Sequence, residues 1–385
     1  QILADLTIRG ITQELSFPIS LQQSDFIFSA EGTVDIDRTL YNIQYQSGKF
    51  FEKLGDKLIY DDLPHPECTA NKVKIHIKAS ALNHLDIWVR IGLSGSPLDL
   101  PIILGSDGSG IIVEVGANIN NYHKGEDVVI QPGTFCRKCQ NCSNGRENYC
   151  LEYGILGETE NGTQAEYIVL DPINIHSMPN QLSYNDAASM PLVFMTAYQM
   201  LIKRAALQPN ETVLVYGGTS GVGSAAIQIC SDLGAEVIAT AGNDDKCEYS
   251  VNMGAHHVVN HNQDNWLKEV KNITGKKGVD VVFEHIGSAT WDQSQQILSK
   301  GGRIVTCGAT TGPNVNINLA HLFMKQHTIL GSTMSNIPAF NEVMVKIKDG
   351  RYIPMVDKVL PMEDIRDAHE YLENRQQMGK VVVVP

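Results

Sequence analysis

Apolar and polar positions fall into three textures along the chain. Over the first sixty residues LTIRG, LSFPISL, FIFSAEGTVDI and YNIQYQ alternate or run apolar between polar turns, which predicts strands and hairpins with little helix. From about Leu63 short strands (KVKIHIKASA, GIIVEVG, EDVVIQPG, QAEYIVLD) follow one another across Gly-, Asn- and Pro-rich turns, the pattern of a small β-rich, barrel-like domain. A third texture starts near Pro191. There TAYQMLIKRA predicts an amphipathic helix, ETVLVYG a buried strand, SAAIQICSDLG a helix ending on Gly234, and AEVIATA a second strand. The alternation continues through KCEYSVNMGA, HHVVNH, WLKEVKNITG, VDVVFEHIG, SQQILSKGG, RIVTCGA and HTILGST, and so predicts an α/β fold with a doubly wound parallel sheet. After about Ser335 the helix MEDIRDAHEYLENR and the strand KVVVVP return the chain to the β-rich domain. The expected division is a partial β segment over 1–61, a β-rich domain over 62–190 and 335–385, and a nucleotide domain over 191–334.

Length and composition agree with that division: 385 residues exceed one ordinary core, and the longest apolar runs, PIILG and VVVVP, are strand-sized rather than membrane-spanning. A net charge of -13, with no basic tract, sets the chain against nucleic acid and anionic membranes; the expected partner, a small-molecule substrate, comes with the enzyme reading below. Of the eight cysteines, four lie between Cys136 and Cys150, while Cys68, Cys230, Cys247 and Cys307 stand singly. That is no disulfide framework; it predicts reduced thiolates on a metal in a reducing compartment such as the cytoplasm. No signal core follows Gln1, so the expectation is a chain whose leader was removed, or a fragment.

Two motifs carry chemistry. In VLVYGGTSGVGSAAIQ, residues 213–228, the run Gly217, Gly218, Thr219, Ser220, Gly221, Val222, Gly223 joins a strand to a helix. Its glycines let the backbone approach a pyrophosphate, whose charge meets the free N–H groups of the helix start. At the end of the second strand, AEVIATAGNDDK has Ala241 where an acidic residue would bind ribose hydroxyls. Gly242, Asn243 and Lys246 can instead accept a 2′-phosphate, which favours NADPH, although a one-residue shift would bring in Asp244 or Asp245 and NADH. The second motif is FCRKCQNCSNGRENYC, residues 135–150. Cys136, Cys139, Cys142 and Cys150 form a closed four-thiolate zinc shell with no open position, the mark of a structural site; free thiols and an iron-sulfur cluster are the alternatives.

With ALNHLDIWVR, LGSDGSGIIVEVG, the cysteine lobe, GTSGVG, FEHIG, VTCGATTG and GKVVVVP, residues 57–385 resemble the medium-chain dehydrogenase/reductase superfamily. The resemblance implies a GroES-like catalytic domain interrupted by a Rossmann domain, an active site between them, and a homodimer or homotetramer. Zinc alcohol dehydrogenases of this superfamily hold a catalytic zinc with Cys, His and Cys. Here Asn83 matches the first Cys, Gly105, Ser106 and Asp107 match Gly-His-Glu, Leu85 matches the relay hydroxyl, and PLVFMTAY covers the last ligand. Soft ligands are missing, so the pattern is similar to the quinone oxidoreductase and enone reductase branch, which uses NADPH without metal help. In that branch Asn83, Asp86, Trp88 and Arg90 take the places of Asn, an acidic residue, Tyr and Arg; Asn83, His84 and Asp86 are the catalytic candidates, with Asp86 read as a support. The resemblance also implies cofactor contacts at Thr196, Gly287, Gly308, Gly331 and Lys380. A zinc alcohol dehydrogenase, and a lipid- or cofactor-binding protein without catalysis, are the rival readings.

Residues 3–61, with TIRGIT, DIDRTLYNIQY and GKFFEKLGDKLIYDD, resemble the later half of YceI-like polyisoprenoid-binding proteins. About four strands cannot close around a lipid where such barrels need about eight, so lipid binding by this chain alone is not expected. KLIYDD is expected to fill the place of one of the dehydrogenase's usual opening strands.

Overall fold

The computed structural model describes residues 58–92 and 101–385 in full and, in the first 57, the backbone of four strands. These are β1 (Ile2–Ile8), β2 (Ile11–Phe17), β3 (Ile19–Ser24) and β4 (Ile27–Gly32), and they pair as two antiparallel hairpins, β1 with β2 and β3 with β4. The motifs DIDRTLYNIQY and GKFFEKLGDK lie outside the described residues. Leu58–Asp62 form no strand, contrary to the expectation for KLIYDD. Leu58 instead offers its carbonyl to Arg366.

The remainder of the chain, which forms a compact unit of its own, opens with β5 (Val73–Ala81), where Val73, Ile75 and Ile77 alternate inward. There follow α1 (His84–Arg90), β6 (Asp107–Val115), β7 (Asp127–Ile130) and the two-residue strand β8 (Gly133–Thr134). After α2 (Gln140–Ser143) come β9 (Gly154–Ile155), β10 (Tyr167–Leu170), β11 (Ile175–Ser177) and α3 (Tyr184–Ala188). Near the carboxyl terminus β18 (Val356–Pro361) and β19 (Lys380–Val384) rejoin this region, so that among the described residues one seven-stranded sheet runs β11-β7-β6-β5-β19-β18, with β10 on β5. The parallel pairing of β18 and β19 is bridged by α11 (Ile365–Glu373).

Between these parts lies the strand-helix region. It begins with α4 (Pro191–Tyr198) and a wider helical turn over Gln199–Arg204. The predicted amphipathic helix TAYQMLIKRA, residues 196–205, runs from the end of α4 through that wider turn and is buried except at Ile202, Lys203 and Arg204; the glycine-loop helix α5 (Gly221–Leu233) and α10 (Ile337–Lys348) both pack on α4, which is buried except at Leu192. Then β12 (Thr212–Val215), β13 (Glu236–Ala241), α6 (Asp244–Asn252), β14 (His257–Asn260), α7 (Trp266–Ile273) and β15 (Val279–Glu284) alternate. The predicted helix SQQILSKGG is shorter than its sequence suggests. α8 (Trp291–Ile297) stops where Leu298 turns extended to pair with Val279, and β16 (Leu298–Thr306) starts at once. α9 (Leu319–Met324) and β17 (Thr328–Gly331) complete a parallel sheet of order β14-β13-β12-β15-β16-β17. Its central strands are buried on both faces, which is why they read as continuous apolar runs. The order reverses between β12 and β15, and ligands of such sheets bind in the crevice outside the carboxyl ends of the strands at that point.

Candidate active site

The glycine loop sits at that reversal. Gly217 has φ +57°, in the left-handed region, and a Cβ on Gly223 would stand 2.2 Å from the Gly217 carbonyl oxygen, so both positions demand glycine. Ser220 caps α5 by accepting from the Gly223 N–H at 3.0 Å, which leaves the helix start facing the crevice. Behind the loop, the buried His285 donates Nε2–H to the Tyr216 carbonyl at 2.9 Å. Glu284, wholly buried, accepts from the N–H groups of Ile286 and Gly287 and from the hydroxyls of Thr290 and Ser294. It holds rigid the turn that carries Gly287.

The residues expected at an adenosine corner, Gly242, Asn243 and Lys246, follow the end of β13 and open α6. Asn243 caps α6, its side chain accepting from the Lys246 N–H at 2.9 Å. Asp244 and Asp245 fall in the exposed first turn of α6, where acidic residues suit the helix dipole. His261 lies beside Gly242, 3.6 Å from where a Cβ would stand. Burial pushes the His261 imidazole below its usual value, and the nearby charges of Arg375 and Lys246 push it further. Lys246 also donates to the Arg375 carbonyl at 2.7 Å. His285, His261 and Arg375 were absent from the sequence candidates. Arg375 follows α11, 129 positions from Lys246, and no local pattern could have connected them.

At the other end, a cavity of about 630 Å³ opens at the carboxyl edges of β15, β16 and β17, bordered by Gly287, Thr306, Cys307, Gly308 and Gly331. Trp88 stands over Gly308, where a Cβ would meet the indole at 3.4 Å. Thr196 is buried in α4, one turn after Val193, whose side chain meets the start of α5 at Gly221.

Asn83, Asp107 and Lys380 form one buried network. Lys380 Nζ lies 2.5 Å from Asn83 Oδ1 and 2.9 Å from Asp107 Oδ2, and Asn83 Nδ2 donates to Asp107 Oδ2 at 3.0 Å and to the Ala81 carbonyl at 3.4 Å. Asp107 Oδ1 accepts the Leu192 N–H at 2.8 Å. Asp86 accepts from the N–H groups of Asn83 and Gly105, which pins the start of α1 to the segment before β6. Burial raises its carboxyl to about 6 against the pull of those two N–H groups. His84 opens α1 and is lowered to about 4, first by burial and then by His285, Arg375 and Lys380. Arg90 pairs with Glu373 at 2.6 Å and meets His369 at 3.3 Å, tying α1 to α11. A catalytic zinc does not fit this donor set. Asn83 and Asp107 are engaged with an ammonium, and Ser106 offers a hydroxyl that is buried without a partner among the described residues.

The four thiols behave differently. Their sulfurs all lie within 4.8 Å of one another, with Cys136–Cys142 at 3.9 Å and both Cys139–Cys142 and Cys136–Cys150 at 3.5 Å. A tetrahedron with Zn–S bonds of about 2.3 Å has edges of about 3.8 Å. Backbone N–H groups of Lys138 and Cys139 bring the Cys136 thiol down to about 6, whereas desolvation and its sulfur neighbours push Cys142 up to about 12. Four thiolates this close need a cation to ionise together.

A parallel sheet with a glycine loop at its reversal is the architecture of dinucleotide-binding proteins, and comparison with known proteins gives the family. Residues 69–180 match the alcohol dehydrogenase GroES-like domain, residues 221–349 the zinc-binding dehydrogenase model, and residues 1–81 the YceI-like domain. Crotonyl-CoA carboxylase/reductase of Cereibacter sphaeroides is 31% identical over 353 residues, covering 83% of this chain and 81% of that protein. Human quinone oxidoreductase is 28% identical over 331 residues, covering 84% and 92%. A solved NAD-dependent alcohol dehydrogenase superposes with TM-score 0.82 at 42% identity, covering 84% of this chain and 95% of that one. The chain belongs to the medium-chain dehydrogenase/reductase family, with a YceI-like segment at its amino-terminal end.

Proposed function

We propose that the protein is an NADPH-dependent reductase that delivers hydride to a quinone or to an activated C=C or C=O bond without a catalytic metal, and carries one structural zinc on Cys136, Cys139, Cys142 and Cys150. The carrying observation is the donor set at Asn83, Ser106 and Asp107, which lacks thiolate and imidazole and of which Asn83 and Asp107 are committed to Lys380. A bound reduced nicotinamide supplies the hydride. Ser220 and the start of α5 orient its pyrophosphate; Lys246, Arg375 and His261 surround the place of a 2′-phosphate; Trp88 and Thr196 wall the nicotinamide end and keep water out. Asp86 holds α1 in register rather than moving a proton, since both its oxygens accept backbone N–H groups. His84, neutral and facing the cleft's cations, is placed to meet the pyrophosphate or to pass a proton from water. Relatives named for an enoyl thioester and for a quinone support an acceptor of this class, and thiolate zinc suits a reducing cytoplasm.

The test is zinc content per chain together with NADPH and NADH oxidation against quinones, enones, aldehydes and alcohols. One zinc with NADPH-driven reduction of a quinone or enone is the expected result. Two zincs with alcohol oxidation would sink the reading in favour of a zinc alcohol dehydrogenase. Absence of turnover with every acceptor would leave a cofactor-binding protein.

A further inference from the structure

The cavity at the carboxyl edges of β15, β16 and β17, about 630 Å³, is the size of a small-ligand site, and its polar border is made of donors. Arg204, at the end of the wide turn after α4, is the one charged side chain among the described residues that border it. Its Nε donates to the Gly331 carbonyl at 2.8 Å and its Nη1 to the Tyr149 hydroxyl at 3.2 Å, which fixes the plane of the guanidinium. A guanidinium has further N–H donors, and here none of them meets a carboxylate among the described residues. The Arg146 guanidinium lies over the Tyr149 ring, 4.7 Å from its centroid, so a second cation adds to the positive field at this end. Further along the cavity stands Trp291, whose backbone N–H donates to the Gly287 carbonyl at 3.1 Å. Trp291 is only 6% exposed, yet its indole N–H has no partner among the described residues, and the buried hydroxyl of Ser332 on the same cavity has none either. Buried donors without an acceptor are costly, and water or a ligand has to supply one. With no acidic side chain on the border among the described residues, the cavity reverses the sign of a chain whose net charge is -13.

We infer that this cavity receives an acceptor carrying an anionic group, a carboxylate or a phosphate, which Arg204 selects, while the Trp291 N–H holds a further oxygen of the same molecule. The inference rests on the reductase reading and names its substrate class. Arg204 is placed for this by the sheet itself. Gly331, to which it is tied, pairs in β17 with Thr306 of β16, two residues before Gly308. Neighbouring strands are about 5 Å apart, so the anion site stands one strand from the cavity wall at Gly308 that Trp88 covers. A small acceptor reaches from one to the other. The Tyr149 hydroxyl, which accepts from Arg204, keeps its own hydrogen for the same anionic group.

Matched acceptors test it. One arm compares β-acetylacrylate with its methyl ester, and the other compares crotonyl phosphopantetheine with crotonyl pantetheine, so that carboxylate and phosphate are told apart. In at least one arm the unmodified protein is expected to show a KM about 30-fold lower for the charged member, the strength of a charge-assisted pair. Arg204→Gln should cut that preference to less than about threefold, and Arg204→Lys should restore part of it. The saturated products, levulinate and butyryl phosphopantetheine, titrated by calorimetry beside their uncharged counterparts, should show the same preference in Kd without any turnover. Trp291→Phe keeps a buried ring and removes only the N–H; it should raise the Kd of charged and uncharged members alike by about fivefold. No preference in either arm, a preference that survives Arg204→Gln, or a Kd untouched by Trp291→Phe overturns the inference. An equal loss of NADPH affinity in Arg204→Gln also overturns it, since Arg204 would then serve the cofactor. If the unmodified protein reduces none of these acceptors, the proposed reaction fails on its own, while the calorimetric comparison still decides whether the cavity selects an anion.

Discussion

Burial lowers three imidazoles, those of His84, His176 and His369, to about 4 each in the folded chain. In the unfolded chain an imidazole titrates near 6.5, so the unfolded state takes up protons first as pH falls. The stability these residues contribute is present above about 6.5 and is lost towards about 4. Asp86 acts in the opposite sense. Its folded value of about 6 lies above the ordinary carboxyl value, so its contribution is present at low pH and is lost as pH rises through about 6. Three groups against one predict a denaturation midpoint that drops clearly between pH 7 and pH 5, and a flat profile would contradict the burial of these rings. A second residue-scale prediction concerns Arg375. Arg375→Ala should raise the KM for NADPH at least about tenfold and that for NADH by less than about threefold, because a guanidinium recognises the extra phosphate. Equal changes for the two cofactors would remove Arg375 from the 2′-phosphate corner.

At the scale of elements, the cysteine lobe is a loop with almost no core of its own. α2 has four residues, none of them buried, and the lobe's described order comes from backbone turns and from Arg137 pairing with Asp171 at 2.5 Å. A metal bound to the four thiolates would supply the stability that such a segment lacks. It also reaches the active site, since Asn148 and Tyr149 border the cavity beside Arg204, and the Tyr149 hydroxyl accepts from Arg204 at 3.2 Å. Cys139→Ser is therefore expected to remove the zinc, cost about 2 kcal/mol or more in denaturant titration, and raise the KM of the acceptor. A variant that keeps both stability and KM would show that the lobe is a passive appendage. α4 makes a related point about packing: seven of its eight residues are buried, with α5 and α10 packed on it.

At the scale of the molecule, the parallel sheet ends, among the described residues, on β17, whose Gly331 carbonyl accepts from Arg204. Just before it Leu319, Phe323 and Met324 are 67%, 69% and 70% exposed. Large apolar side chains grouped beside an open sheet edge suit a self-association face. A homodimer by light scattering, converted to a monomer by Phe323→Glu, is the expected outcome; a monomeric unmodified chain would refute it.

Much of this protein was legible in its sequence. The alternation of strands and helices, the glycine loop and the four-thiol lobe depend on residues within a few positions of one another, where backbone sterics and short spacings act directly. The donor set at Asn83, Ser106 and Asp107 could also be read, because a missing thiolate or imidazole is visible without coordinates. The burial of α4, the early start of β16, and the convergence of His261, Lys246 and Arg375 could not. Nor could the place of Lys380, which is 297 positions from Asn83 and 273 from Asp107. The sequence by itself determined the family, the parallel sheet and the chemical types available; only the tertiary structure decided which charges share a buried space, because that depends on how distant segments pack and exclude water.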